Sequence, residues 1–215
     1  MSGMFLARAS ERRGAAAYYD DPLELGYGEL SFAPTVAINA PADPGFLQSG
    51  LSLVLADDPP GELLGTVDIS STPTGVPFRR TGLAVEWWFY VPFVGDDDRL
   101  VIRQLTGSGN GAILGTCSVP PSAEVQEAGA SEHSIELRYR PANSHTGATK
   151  RVQVWLDGAM VCESLDARLP DWAQGQELFA GMTGENRATP GVSIRWIRAD
   201  SASSLAPVEL AGSCL

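Results

Sequence analysis

Between residues 83 and 91 the side chains alternate with a period of two: Val85, Trp87, Phe89 and Val91 fall on one side, and Glu86, Trp88 and Tyr90 on the other. A helix would scatter these residues around its circumference, whereas a pleated strand sorts them onto two faces. The same alternation returns in Ile135, Leu137 and Tyr139 against Glu136, Arg138 and Arg140, and in Val152, Val154 and Leu156 against Gln153, Trp155 and Asp157. Further strand-like runs occupy residues 29–32, 35–38, 50–56, 100–105, 111–119, 159–163, 177–182 and 192–196. Turn chemistry separates them, as at Pro41–Gly45, Asp57–Gly61, Pro92 and the hairpin pair Asp157-Gly158. Short helical turns are expected only at 4–9 and 13–18. At least nine short strands with no long helix predict an all-β fold of two packed antiparallel sheets.

Length and composition fit one such domain. With 215 residues, 44% of them apolar and 19% charged, the chain can bury a sizeable core. The expected division is an N-terminal arm at 1–28, a sandwich domain at 29–198 and a tail at 199–215. The arm is expected to pack on the domain or on a neighbouring subunit. The formal charge of -11 repels phosphate backbones and anionic membrane surfaces, so no nucleic acid partner is expected. No run of apolar residues reaches membrane-spanning length, and no membrane insertion is expected. The short apolar stretch at the start lacks the form of a signal peptide, which leads to an expected cytoplasmic or particle-associated (virion) location. Cys117, Cys162 and Cys214 form neither a disulfide framework nor a zinc signature. The first two are expected as small buried hydrophobes, a bridge between them requiring adjacent strands.

Three stretches together resemble the legume-type (L-type) lectins. Gly50-Leu-Ser-Leu-Val-Leu-Ala56 is similar to an early strand that follows the family's sugar-binding aspartate. Gly82-Leu-Ala-Val-Glu-Trp-Trp-Phe-Tyr90 resembles the family's Ala-Val-Glu-Phe-Asp-Thr strand. Val152–Asp157, Leu169-Pro170, Leu178-Phe-Ala-Gly-Met-Thr-Gly184 and Ile194-Arg-Trp196 resemble its late strands. The resemblance spans roughly residues 29–198 and implies a concanavalin A-like jelly-roll sandwich of two antiparallel sheets.

It also implies a calcium and a transition metal beside a sugar, held partly by the glutamate and aspartate of the central strand. Here Glu86 keeps the first position, but Trp88 stands at the second, and an indole cannot ligate a hard cation. Asp96, Asp97 and Asp98 are the candidate replacement ligands, although three aspartates at a hairpin tip read more simply as solvated turn residues. No histidine occupies the expected place in the following strand, around Arg99–Arg103. Ser49 stands where the sugar-binding aspartate is expected, without that group's charge-assisted strength. No cofactor is therefore expected, with calcium as the alternative.

Catalytic patterns are sparse. A glycosidase on this architecture presents paired carboxylates about 5–9 Å apart, and no strand here carries the required acidic alternation. His133 and His145 have no metal-ligand spacing and no recognisable nucleophile beside them, and Gly107–Gly111 lacks the lysine and helix of a phosphate loop. Trp88, Tyr90 and Trp155 are the stronger signals, since aromatics on a wet sheet face can stack on sugars or anchor a protein interface. With Ser49, Glu86, Asn110, Glu185 and Asn186 they form the candidate ligand-binding set, framed by loops 66–82, 106–111 and 184–191. The expected function is non-enzymatic. It is a structural or assembly protein, such as a virion or particle surface component (decoration or receptor-binding), with a protein partner or homo-oligomer. The alternative is a carbohydrate-binding module recognising a glycan, and a glycoside hydrolase or lyase ranks below both.

Overall fold

The computed structural model describes residues 4–7, 14–19, 21–26, 28–40, 48–57, 74, 80–90, 98–107, 111–125, 129–143, 146–186 and 193–200. Within them the chain forms thirteen strands. These are β1 (Met4–Ala7), β2 (Gly14–Tyr18), β3 (Leu23–Glu24), β4 (Leu30–Ala40), β5 (Gln48–Ala56), β6 (Thr81–Tyr90) and β7 (Arg99–Thr106). They continue as β8 (Ala112–Ser118), β9 (Gly129–Arg140), β10 (Arg151–Leu156), β11 (Ala159–Ser164), β12 (Glu177–Asn186) and β13 (Ser193–Asp200).

Two antiparallel sheets result, as the alternation predicts. The smaller has the order β1-β13-β4-β9-β10-β11; the larger has β2-β12-β5-β6-β7-β8, with β3 also pairing β12. Phe32, Ile38, Leu137 and Val154 from the smaller sheet meet Leu51, Leu53, Trp87, Phe89, Ile102 and Met182 from the larger, all buried. Trp87 and Phe89 meet edge to face at 5.1 Å, an arrangement that the ring quadrupoles favour. Tyr139 carries a polar group into this interior. Its hydroxyl donates to the Pro170 carbonyl at 2.6 Å, and burial pushes its pKa up to about 12. No helix among the described residues is long and apolar enough to cross a membrane.

Several local expectations are corrected. The stretches expected as helical turns are strands: β1 pairs β13, and β2 pairs β12 over Gly14–Tyr18. Residues Ala15–Ala17 favour helix locally, but the sheet edges supply partners for every second N–H and C=O, and that non-local pairing prevails. β4 runs unbroken through Pro34, which reads in sequence as an interruption. Proline cannot donate, and the ladder to β9 is interrupted between the pairs Phe32–Leu137 and Thr35–Ser134. β9 begins at Gly129, inside a stretch that reads as loop, and β12 continues to Asn186.

Cys117 and Cys162 are not two separate buried thiols. They form a disulfide with Cα atoms 5.7 Å apart. β8 and β11 are the terminal strands of their two sheets, so the bond staples the sandwich along one open side. Asp157 and Gly158 take φ angles of 51° and 79°, the left-handed pair of a tight hairpin between β10 and β11.

Candidate recognition site on the larger sheet

The register of the larger sheet sets its outer face. One row aligns Thr183, Ser52, Glu86 and Val101; the next aligns Glu185, Gly50, Trp88 and Arg99. Their chain neighbours Met182, Leu51, Leu53, Val85, Trp87 and Leu100 fill the core, so both rows face outward.

Glu86 is the centre of this face and is fully buried. Its Oε1 accepts from Arg103 Nε, forming a buried ion pair. Its Oε2 accepts from Thr74 Oγ1 at 2.9 Å and from the Trp88 indole Nε1 at 2.8 Å. Thr74 belongs to the long loop expected to be functional, and its carbonyl accepts a further bond from Thr183 Oγ1 at 2.7 Å. Thr183 in turn bonds Ser52. Val54, Ala56, Ala84 and Leu105 form a separate buried apolar cluster on the same face. A sheet face expected to be wet is thus largely covered, and Trp88 is half-buried at its margin.

The structure brings Glu86, Trp88 and Glu185 together on this face, with Gly50 placing no side chain between the last two. Glu185 is buried. Ser49 lies on the inward side with Leu51, fully buried, and its hydroxyl has no hydrogen-bond partner among the described residues. The backbones of Tyr90 and Asn186 belong to β6 and β12, but their side chains lie outside the described residues, as do Asn110, Asp96, Asp97 and His145. Asp98 is not a solvated turn residue. It is buried; its Oδ2 accepts the Val125 N–H at 2.9 Å, and its carbonyl accepts the Val119 N–H at 3.0 Å.

Trp155 stands apart, on the outer face of the smaller sheet. The Arg138 guanidinium lies 4.3 Å above its ring, itself held by both oxygens of Glu136 at 2.7 and 2.8 Å. Hydrogen bonding from Arg138 holds the Glu136 carboxyl below the usual carboxylate range, against the opposing effect of its burial. Trp88 and Trp155 therefore occupy opposite faces of the sandwich. Sequence reasoning missed Arg103 and Thr74, whose side chains reach Glu86 from another strand and from a loop. It also missed His133, which is buried and bonded to Asp157 and Ser131.

No family model matches the sequence, and no curated protein matches it. Solved structures do match the fold. The potassium-bound carbohydrate recognition domain of Emp46p superposes with a TM-score of 0.64 at 10% identity, over 91% of this chain and 80% of that one. The carbohydrate recognition domain of Emp47p gives 0.61 at 13% identity, over 91% and 80%. Peanut lectin in complex with a 9mer peptide gives 0.51 at 16% identity, over 90% and 82%. The fold is a concanavalin A-like jelly roll. This agrees with the legume-type resemblance at the level of architecture.

The metals implied by that resemblance do not fit the residues around Glu86. Calcium takes six to eight oxygen ligands. Here both Glu86 oxygens are engaged, Trp88 turns an N–H donor toward them, and Arg103 brings a positive charge. Among the described residues no group of three or more His, Cys, Asp or Glu could hold a metal ion.

Proposed function

We propose that this chain is a carbohydrate-recognition module that binds glycan, without chemistry at that site, at the margin of its larger sheet, around Trp88 and Glu185. The observation that carries this reading is the Trp88 indole, fixed by its N–H bond to buried Glu86. With that N–H engaged, the ring is presented in a set orientation for the C–H face of a sugar, at little further entropic cost. Gly50 leaves bare backbone between the indole and the Glu185 carboxylate, and a carboxylate accepts strong bonds from hydroxyls. The structural similarity to carbohydrate recognition domains supports the same reading.

The assembly reading has its own support. Ile113 and Leu165 are large, apolar and exposed. They flank the close approach of β8 to β11, where Ser164 Oγ donates to the Leu114 carbonyl, and a protein partner would dry them. Such a partner would meet the β8 edge of the larger sheet, with β7 between it and Trp88 on β6. The Cys117–Cys162 bridge supports a working environment that is oxidising, which favours the particle-associated location over the cytoplasmic one of the two expected from sequence.

The test is a glycan array probed with the intact protein, Trp88→Phe and Trp88→Ala, each checked for an unchanged melting curve. Binding should survive in Trp88→Phe with modest loss and fall at least about tenfold in Trp88→Ala, the scale of one lost aromatic anchor. Absence of any glycan signal, or equal binding by folded Trp88→Ala, would refute the assignment.

A further inference from the structure

In the space between the sheets, against the inward-facing Trp87, three side chains form a continuous hydrogen-bonded line. His133 Nδ1 lies 2.8 Å from Asp157 Oδ2, and His133 Nε2 lies 3.0 Å from Ser131 Oγ. An ionised carboxylate only accepts, so Nδ1 carries the proton. In the neutral imidazole Nε2 then presents its lone pair, and the Ser131 hydroxyl must donate to it. This is the order of nucleophile, base and orienting acid that activates a serine.

Each member is held by the fold. Ser131 and His133 are two residues apart on β9 and share its inward face, and the Trp87 ring meets the imidazole edge to face at 5.2 Å. Asp157 sits at the left-handed hairpin position after β10, where its Oδ1 also accepts the Ser134 N–H at 2.9 Å and its own N–H donates to the Ser134 carbonyl at 2.8 Å. His133 is buried, while Ser131 is half-buried and therefore partly reachable.

Two further observations mark the place as more than a satisfied histidine. Ser134 turns its N–H and carbonyl toward Asp157 and so away from β4, and alternation along an antiparallel ladder turns the Glu132 N–H the same way. β10 ends at Leu156, so among the described residues no strand covers that edge of β9 beyond Ser134. A backbone N–H directly after the serine is a ready donor to an oxyanion. Moreover, the Trp87 Nε1 and Ser49 Oγ atoms are buried with no hydrogen-bond partner among the described residues, and both side chains belong to the inward face of the opposite sheet. Buried polar groups without partners are uncommon and call for an occupant.

We propose that Ser131, His133 and Asp157 form an acyl-transfer centre of the serine-hydrolase type, acting on esters. Ser131 Oγ adds to the ester carbonyl carbon as its proton passes to His133 Nε2, and the carbonyl electron pair moves onto oxygen beside the Glu132 N–H. Collapse of that oxyanion breaks the bond to the alkoxy oxygen, which takes the proton from Nε2 and leaves as the alcohol. Water repeats the sequence on the acylated serine, with His133 as base, and releases the carboxylic acid and free Ser131. Asp157 is a positioning residue that fixes the tautomer. The centre stands independently of glycan recognition at Trp88.

The experiment is labelling of the intact chain with a fluorophosphonate probe, followed by peptide mapping. The expected result is a single adduct on Ser131, absent in Ser131→Ala of unchanged melting temperature. Asp157→Asn should slow labelling at least about 100-fold, within the range general-base activation supplies. In 15N NMR, wild-type His133 should carry its proton on Nδ1, and Asp157→Asn should move it toward Nε2, which loss of packing alone would not do. No adduct at Ser131 under saturating probe, labelling at another residue alone, or an Nε2-protonated wild-type imidazole would each overturn the proposal.

Discussion

Arg103 and Glu86 are each close to fully buried, and each balances the other's charge there. Removing one partner strands a charge away from water, which costs about 3–5 kcal/mol. Arg103→Met should therefore lower the unfolding free energy by that amount in urea, with Glu86→Gln added on top restoring part of it; a loss below about 1 kcal/mol would contradict the buried pair. Because the guanidinium already balances the carboxylate, EDTA should leave the melting temperature unchanged, and added calcium should not raise it. Tyr139 gives a second residue-level test. Its folded pKa of about 12 lies above the ordinary tyrosine value of about 10, so the native state keeps a proton that the unfolded chain gives up. The stabilisation is complete below about pH 10 and is lost as pH rises toward about 12, at no more than about 1.4 kcal/mol per pH unit. Denaturation curves across that window should show the slope in the wild type and lose it in Tyr139→Phe.

At the scale of strands, the disulfide is the strongest single constraint outside the core. It closes a separation of 45 residues, which the chain-entropy model equates with about 4 kcal/mol. Reduction, or Cys117→Ser with Cys162→Ser, should lower the melting temperature by many degrees; an unchanged midpoint would mean that the bond is absent in solution. This link was not legible in sequence, because three cysteines at wide spacing say nothing about which strands become sheet edges. The central strand was legible, since β6 places Val85, Trp87 and Phe89 in the core and Glu86 and Trp88 outside by simple alternation. What surrounds Glu86 was not. Arg103 arrives from β7 and Thr74 from the stretch before β6, contacts set by non-local placement rather than local pattern. The same holds for His133, whose partner Asp157 comes from a hairpin 24 residues away. β1 and β2 were missed for a related reason, their extended form being imposed by the sheet edges they join.

For the whole molecule, those edge strands change what the N-terminal segment means. β1 and β2 occupy one end of each sheet, β3 pairs β12, and Leu25 is fully buried. A chain lacking residues 1–28 should expose β12 and β13 as open edges and aggregate or unfold, rather than persist as a smaller folded monomer. Light scattering on both forms decides this, and the full chain's mass separately tests the assembly reading. Glycan recognition at Trp88 is read in the indole N–H spectrum of the isotope-labelled protein, titrated with the best glycan from the array. Of the 5 tryptophans, Trp88 should shift most, with Trp155 on the opposite face unmoved. Shifts centred on Trp155, or none at saturating glycan, would contradict the account.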